Sequence, residues 1–173
     1  MPFWRTYYHF VWATKSRAPS IQPDFEWKLF QYFISKAEEL DIQVYAVNGW
    51  HDHVHLVASV PPKHAIAEVV RQLKGGSAHY LNHVVNVPFQ FAWQRGYGVF
   101  TLGEQQSAKA IAYVQQQKEH HTQQTTNAWL ERTDEADEGP PLAGLRPEDV
   151  QRGVWQLREA GAVYALLGDG VPF

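Results

Sequence analysis

Two histidines one residue apart, His53 and His55, open a stretch whose residues from Val54 to Val60 are apolar, β-branched and of strand length, closed by Pro61-Pro62. On a strand, alternate side chains emerge on one face, so the two imidazoles stand side by side while Val54 turns into the core. Two imidazoles on one rigid face are ready metal ligands, although the same spacing also suits ordinary surface or core histidines. His51 continues the alternation but precedes Asp52 at the strand mouth, which puts it beside the site and not in it. Asp52 is suited to orient a ligand histidine or to fix the turn.

About sixty residues downstream, Tyr113 and Gln117 lie four apart in a helical pattern, hence on one face and one turn from each other. Gln117 offers a neutral oxygen as third ligand. A nitrogen, nitrogen and oxygen set with open positions suits a divalent ion such as Mg²⁺ or Mn²⁺. Such a site would polarise a phosphodiester, and Tyr113 would present its phenolate to the phosphorus. His120-His121 reads as a solvated helix end, where cationic histidine is favoured.

The elements that must position these groups follow from pattern. Residues 3–13 alternate aromatic and apolar side chains with His and Thr, a first strand, and Thr14-Lys15-Ser16-Arg17 is a short basic turn with donors suited to phosphate oxygens. Asp24 is placed to cap a helix running to about Leu40, with Phe25, Leu29, Tyr32, Phe33 and Ala37 near helical spacing. Residues 43–48 form a second strand that turns at Gly49 into the histidine-bearing one, a hairpin. A second helix spans about His64 to Val85. It carries Gly75-Gly76, a candidate kink or close backbone approach, with Arg71 and Lys74 beside it. The aromatic, glycine-punctuated run 91–102 contains Arg95 and ends as a strand, and a third helix covers about Gln105 to His121. The order β-α-β-β-α-β-α makes the chain α+β. Its first six elements are those of the ferredoxin-like, or split βαβ, arrangement: a four-stranded antiparallel sheet with two helices on one face. The first and third strands are then central, and His53 and His55 sit mid-sheet.

A chain of 173 residues with 45% hydrophobic and 14% aromatic content supports a sizeable core and excludes wholesale disorder. There is no cysteine, hence no disulfide framework or thiolate chemistry. The opening residues lack a signal-peptide pattern, no apolar run reaches membrane-spanning length, and the expected address is the cytoplasm. The net charge of −3 is uneven: residues 1–119 carry 11 basic and 9 acidic side chains, and the remainder 4 and 9. The acidity belongs to the tail, so any phosphate binding must come from local clusters, with Lys15, Arg17, Arg71, Lys74 and Arg95 as the candidates; an ordinary solvated loop and a solvated helix face fit the same residues. The texture changes at about Thr122, giving two parts, 1–121 and 122–173. The second part is an acidic, Gly/Pro-bearing linker, then a short helix over about 147–160 and an apolar patch at 163–167.

Four ordered blocks carry a family resemblance: Tyr8-His9-Phe10-Val11-Trp12-Ala13-Thr14-Lys15-Ser16-Arg17, Asp52-His53-Val54-His55-Leu56, Trp93-Gln94-Arg95-Gly96-Tyr97-Gly98-Val99-Phe100, and the run from Tyr113 to His121. The chain resembles the single-tyrosine HUH transposases, the compact transposases of insertion sequences that act on single-stranded DNA, and their REP-associated tyrosine transposase relatives. The resemblance covers residues 3–121. It implies a metal held by His53, His55 and Gln117, with Tyr113 as nucleophile on the C-terminal catalytic helix. A 5′-phosphotyrosine link and a free 3′-hydroxyl would form at hairpin-flanked ends of single-stranded DNA. It implies a homodimer whose tyrosine helix is mobile or swapped. Two other functions fit the same residues: a domesticated, non-mobile protein that binds DNA or RNA hairpins, and a metal-dependent phosphodiesterase with water as nucleophile. The acidic segment after Thr122 is expected to act as an arm that competes with DNA.

Overall fold

A strand that is buried on both sides is apolar at most positions, and in the central strands the buried histidines His9, His53 and His55 stand out as exceptions. In β1 (Tyr7–Ala13) Phe10 and Trp12 face one way and His9, Val11 and Ala13 the other, all fully buried. β3 (His53–Ser59) is buried along its whole length. The computed structural model describes residues 3–128 and 130–133. They belong to one compact unit, Met1–Glu135; a second unit, Ala136–Phe173, lies outside the described residues, and with it the helix expected over 147–160 and the patch at 163–167.

With β2 (Gln43–Gly49) and β4 (Gly98–Leu102), these strands form one antiparallel sheet in the order β2-β3-β1-β4. The α+β, split βαβ expectation holds, and β1 and β3 are the inner strands. α1 (Pro23–Glu39) and α2 (Ile66–Tyr80) cover the face that carries Phe10, Trp12, Val54, Leu56 and Ala58. α1 contributes Phe25, Leu29, Phe33 and Ala37, a four-residue repeat that forms one stripe. α3 (Glu104–Gln115) lies on the opposite face, where Ala110 and Val114 meet Ala46 and Val57.

Boundaries differ from the sequence reading for identifiable reasons. The first strand begins at Tyr7, not at residue 3. Gln22, not Asp24, is the residue before α1, because Pro23 takes the first helical position, where its missing N–H is no loss. Gly75-Gly76 do not interrupt α2. Gly76 is a close approach: a Cβ there would lie 1.9 Å from the Tyr32 hydroxyl oxygen. Beyond Tyr80 the helix widens into a π turn, Leu81–Val85, ended by Asn86 at φ 56°.

The last helix is two. At Gln116 the backbone turns to φ −97°, ψ 15°, and α4 (Gln117–Gln123) starts anew. Tyr113 and Gln117 therefore sit on consecutive helices and not on one. The hairpin that presents the histidines is tight: the Trp50 N–H donates to the His53 carbonyl at 3.0 Å. A Cβ on Gly49 would lie 2.3 Å from that same oxygen, so only glycine fits there.

Candidate active site

The antiparallel register sets the histidines. Val11 pairs with His55 and Ala13 with His53, and all four side chains lie on the face away from α1 and α2. His53 and His55 are both fully buried. Each ring is fixed through its Nδ1. His53 Nδ1 lies 2.6 Å from Asp52 Oδ1, so Asp52 orients this histidine, and Arg17 holds the other Asp52 oxygen at 3.3 Å. His55 Nδ1 lies 2.9 Å from His9 Nε2. Both Nε2 atoms are left pointing at one spot, and a carboxylate oxygen occupies it: Glu131 Oε2, 3.0 Å from His53 and 3.1 Å from His55.

Tyr113 converges on the same carboxylate. Its hydroxyl donates to Glu131 Oε1 at 2.7 Å and accepts from the Asn127 N–H at 3.0 Å. Its ring stands edge-on to His55 at 6.1 Å and stacks on His120 at 4.7 Å. The two segments expected to meet do meet, within one chain. Gln117 is fully buried, and among the described residues neither its amide oxygen nor its nitrogen has a hydrogen-bond partner. A buried amide in that condition fits a ligand role, its oxygen being free to coordinate. His53, His55 and Glu131 offer donor atoms all within 4.8 Å of one another, so the residues present fit a divalent ion.

Electrostatics divide the cluster. Burial opposes a charge on His53, but hydrogen bonds to Asp52 and Glu131 outweigh it and lift the imidazole to about 9. Burial likewise opposes the Glu131 charge, yet the two histidines hold its carboxyl well below the usual carboxylate range. His55 is lowered by burial, and His9 is pushed down to about 3 by burial and then by His55. Burial, followed by the bond to Glu131, raises the Tyr113 phenol to about 12.

Three residues at the site were not assigned from sequence. Glu131 lies in the segment read as linker. His9 is one of the polar positions of the first strand, and the pairing of β1 with β3 puts it on the histidine face. His121, read as a solvated helix end, stacks on Trp50 at 5.1 Å and brings its Nε2 to 3.1 Å from that of His53. A hollow of about 490 Å³ opens beside them, lined by Arg17, Trp50, Asp52, His53, His121 and Glu131 among others.

The five basic residues gather around two further hollows that share the segment 92–95. Lys15, Arg17 and Arg95 line one of about 790 Å³; Arg71, Lys74 and Arg95 line another of about 490 Å³ with Phe91, Trp93 and Tyr97. Arg71 is paired with Glu68 at 2.6 Å on the exposed side of α2. Lys74 donates to the carbonyls of Gln94, Arg95 and Gly96 at 2.8, 3.1 and 2.8 Å, which ties the loop to the helix.

Residues 2–117 match the family model described as IS200-like transposase. The transposase of insertion element IS200 from Salmonella typhimurium is 26% identical over 121 residues, covering 67% of this chain and 79% of its own length. The ISDra2 transposase TnpA of Deinococcus radiodurans is 27% identical over 115 residues, covering 64% and 82%. A crystal structure of a transposase from Deinococcus radiodurans superposes with a TM-score of 0.51 at 26% identity, over 68% of this chain and 95% of that one. A REP-associated tyrosine transposase, solved bound to a REP hairpin, shares the fold with a TM-score of 0.53 at 13% identity, over 70% and 74%. No helix among the described residues is long and apolar enough to cross a membrane. On this evidence the chain belongs to the IS200-like transposase family.

Proposed function

We propose that the protein cleaves and rejoins single-stranded DNA at hairpin-flanked ends through a 5′-phosphotyrosine intermediate, with His53, His55 and Gln117 holding Mg²⁺ or Mn²⁺. One observation carries the reading: a single carboxylate touches both imidazoles and the phenol, so an anion of that size can bridge the groups the reaction needs. With His53 and His55 given to the ion, a scissile phosphate would take the place of the carboxylate oxygen that Tyr113 holds, Glu131 Oε1. The Tyr113 oxygen bonds to phosphorus, the bond to the 3′-oxygen breaks, the phenol proton leaves and the 3′-oxygen gains one. The bound divalent ion would supply charge to polarise the phosphodiester. Asp52 holds the His53 ring, and Asn127 holds the Tyr113 oxygen. The phosphodiester energy is kept in the covalent link, so rejoining needs no nucleotide.

Lys15, Arg17, Arg71 and Arg95 are the proposed contacts to the DNA backbone, around the two adjoining hollows, while Lys74, whose three N–H donors go to the carbonyls of Gln94, Arg95 and Gly96, would hold the loop that presents Arg95. That Tyr113 reaches the histidines of its own chain favours action in cis, also within the homodimer that the family resemblance implies. A cytoplasmic address goes with this reading.

The test is a labelled single-stranded hairpin incubated with Mn²⁺. A covalent protein–DNA adduct, lost in Tyr113→Phe, is the expected result. Binding with no adduct would replace this reading with that of a hairpin-binding protein, and cleavage that survives Tyr113→Phe would assign the nucleophile to water.

A further inference from the structure

His9 has no part in the chemistry above, yet it is a fully buried histidine against a proposed ligand. It comes from the neighbouring strand: His9 pairs with Val57 and Val11 with His55, so His9 and His55 are diagonal neighbours on one face. Their rings stack at 5.0 Å, and His9 Nε2 lies 2.9 Å from His55 Nδ1. His9 Nδ1 is buried and has no hydrogen-bond partner among the described residues.

A histidine coordinates through a lone pair, so His55 can ligate through the Nε2 that faces the site only with its proton on Nδ1. That proton needs an acceptor, and His9 Nε2 is the only one within reach among the described contacts. We propose that His9 is the positioning residue of His55, accepting its Nδ1 proton, fixing the ring plane and selecting the tautomer that leaves Nε2 free. The inference rests on the metal reading above.

The two proposed ligands are then backed differently. His53 leans on the carboxylate of Asp52, and His55 on a neutral imidazole. A carboxylate behind His55 would add a second negative charge in the sealed interface between the sheet and α3. The imidazole supplies an acceptor without one, and it keeps its own proton on the unpartnered Nδ1. When His55 instead points its Nε2–H at Glu131, the same pair reverses, with His9 Nε2–H donating to His55 Nδ1. His9 is the kind of acceptor that serves both states, since an imidazole presents either a donor or an acceptor at one atom.

The test is Mn²⁺ binding to the full chain, read by the electron paramagnetic resonance of free Mn²⁺. His9→Phe keeps a ring and removes the acceptor, and a 10- to 100-fold weaker Kd is expected. His9→Gln puts an amide oxygen near the Nε2 position and should bring Kd back to within about threefold of wild type. An unchanged Kd in a folded His9→Phe protein, with His55→Ala losing binding, overturns the role of His9 and leaves the metal reading standing. No Mn²⁺ binding by the wild type takes both down. A second measurement needs no variant: imidazole ¹⁵N–¹H spectra of the Mg²⁺-loaded wild type should show the proton on His55 Nδ1. A proton on His9 Nε2 in that state would refute the assignment even if the substituted chains fail to fold.

Discussion

Glu131 touches every group assigned to the proposed reaction, and replacing it by alanine is the sharpest perturbation available. Its two oxygens bind both imidazoles and the phenol, so the carboxylate and a phosphodiester compete for one place. On the proposed mechanism the 2.7 Å bond from Tyr113 to Oε1 has to break before the phenol oxygen attacks. A hydrogen bond to a charged group contributes about 1.5–3 kcal/mol, which corresponds to roughly 10- to 100-fold in rate. Glu131→Ala should therefore form the covalent adduct 10 to 100 times faster at saturating Mn²⁺. The phenol should fall back from about 12, since the bond that helps raise it is gone. Glu131→Gln, which keeps a hydrogen-bond acceptor but not the charge, should lie between. The assay is single-turnover adduct formation on a hairpin-flanked single strand, with Mn²⁺ titrated in parallel. A slower variant with weaker Mn²⁺ binding would refute the reasoning and make Glu131 a metal ligand in its own right. Deleting everything after Thr122 removes Glu131 together with a net charge of −5. It should add tighter single-strand binding at low salt that fades as ionic strength rises, and unchanged affinity would reject the competing-arm idea.

Other outcomes follow from the same contacts. In chelated protein, the unfolded chain protonates His9 below about pH 6.5 while the folded chain refuses the proton down to about 3, so stability falls as pH drops through that window. His9→Phe should therefore lose about 1.5 kcal/mol less than wild type between pH 6.5 and 5 in urea denaturation, and equal losses would contradict the burial argument. Gly75→Ala meets open space and should stabilise α2 by about 0.5–1 kcal/mol, whereas Gly76→Ala drives into Tyr32 and should cost about 1–3 kcal/mol. Lys15→Ala combined with Arg95→Ala should weaken hairpin binding for every sequence tried and flatten the salt dependence by about one unit of slope per lost phosphate contact.

The fold was legible because its signals are local and periodic. His53 and His55 declare a strand face, Gly49 and Pro61 bound it, and Phe25, Leu29, Phe33 and Ala37 draw a helix stripe. The basic cluster was legible for the same reason, since Lys15 and Arg17 share a turn and Arg71 and Lys74 share a helix face. What the sequence hid was set by backbone geometry. The break at Gln116 involves neither glycine nor proline, so nothing warns that α4 restarts and carries His121 back to His53. Glu131 is hidden more deeply. Its return to the site depends on a left-handed residue at Gln124, φ 57°, and on the Asn127 N–H meeting the Tyr113 oxygen, and neither has a side-chain signature. Asp24 misled for an opposite reason: it is a good capping type beside a proline that settles the helix start first.

The two halves of the site differ in how they are held, and the difference matters for chemistry. The imidazoles come from an inner strand, paired on both sides, buried along its length and braced from behind by Asp52 and His9. The phenol and the amide come from α3 and α4, which meet the sheet through a small cluster, Ala46, Val57, Ala110 and Val114, with partly buried Leu102, Ile111 and Tyr113 around it. Burial of that extent contributes little beside the main core, so the helix half is held by far less buried apolar surface than the sheet half. The proposed strand transfer would use this asymmetry. On that reading His53 and His55 would keep their geometry through cleavage and rejoining, while Tyr113, once bonded to DNA, would carry its end of the strand. Glu131 joins the two halves, and on the proposed mechanism its contacts are those exchanged for phosphate before that movement begins.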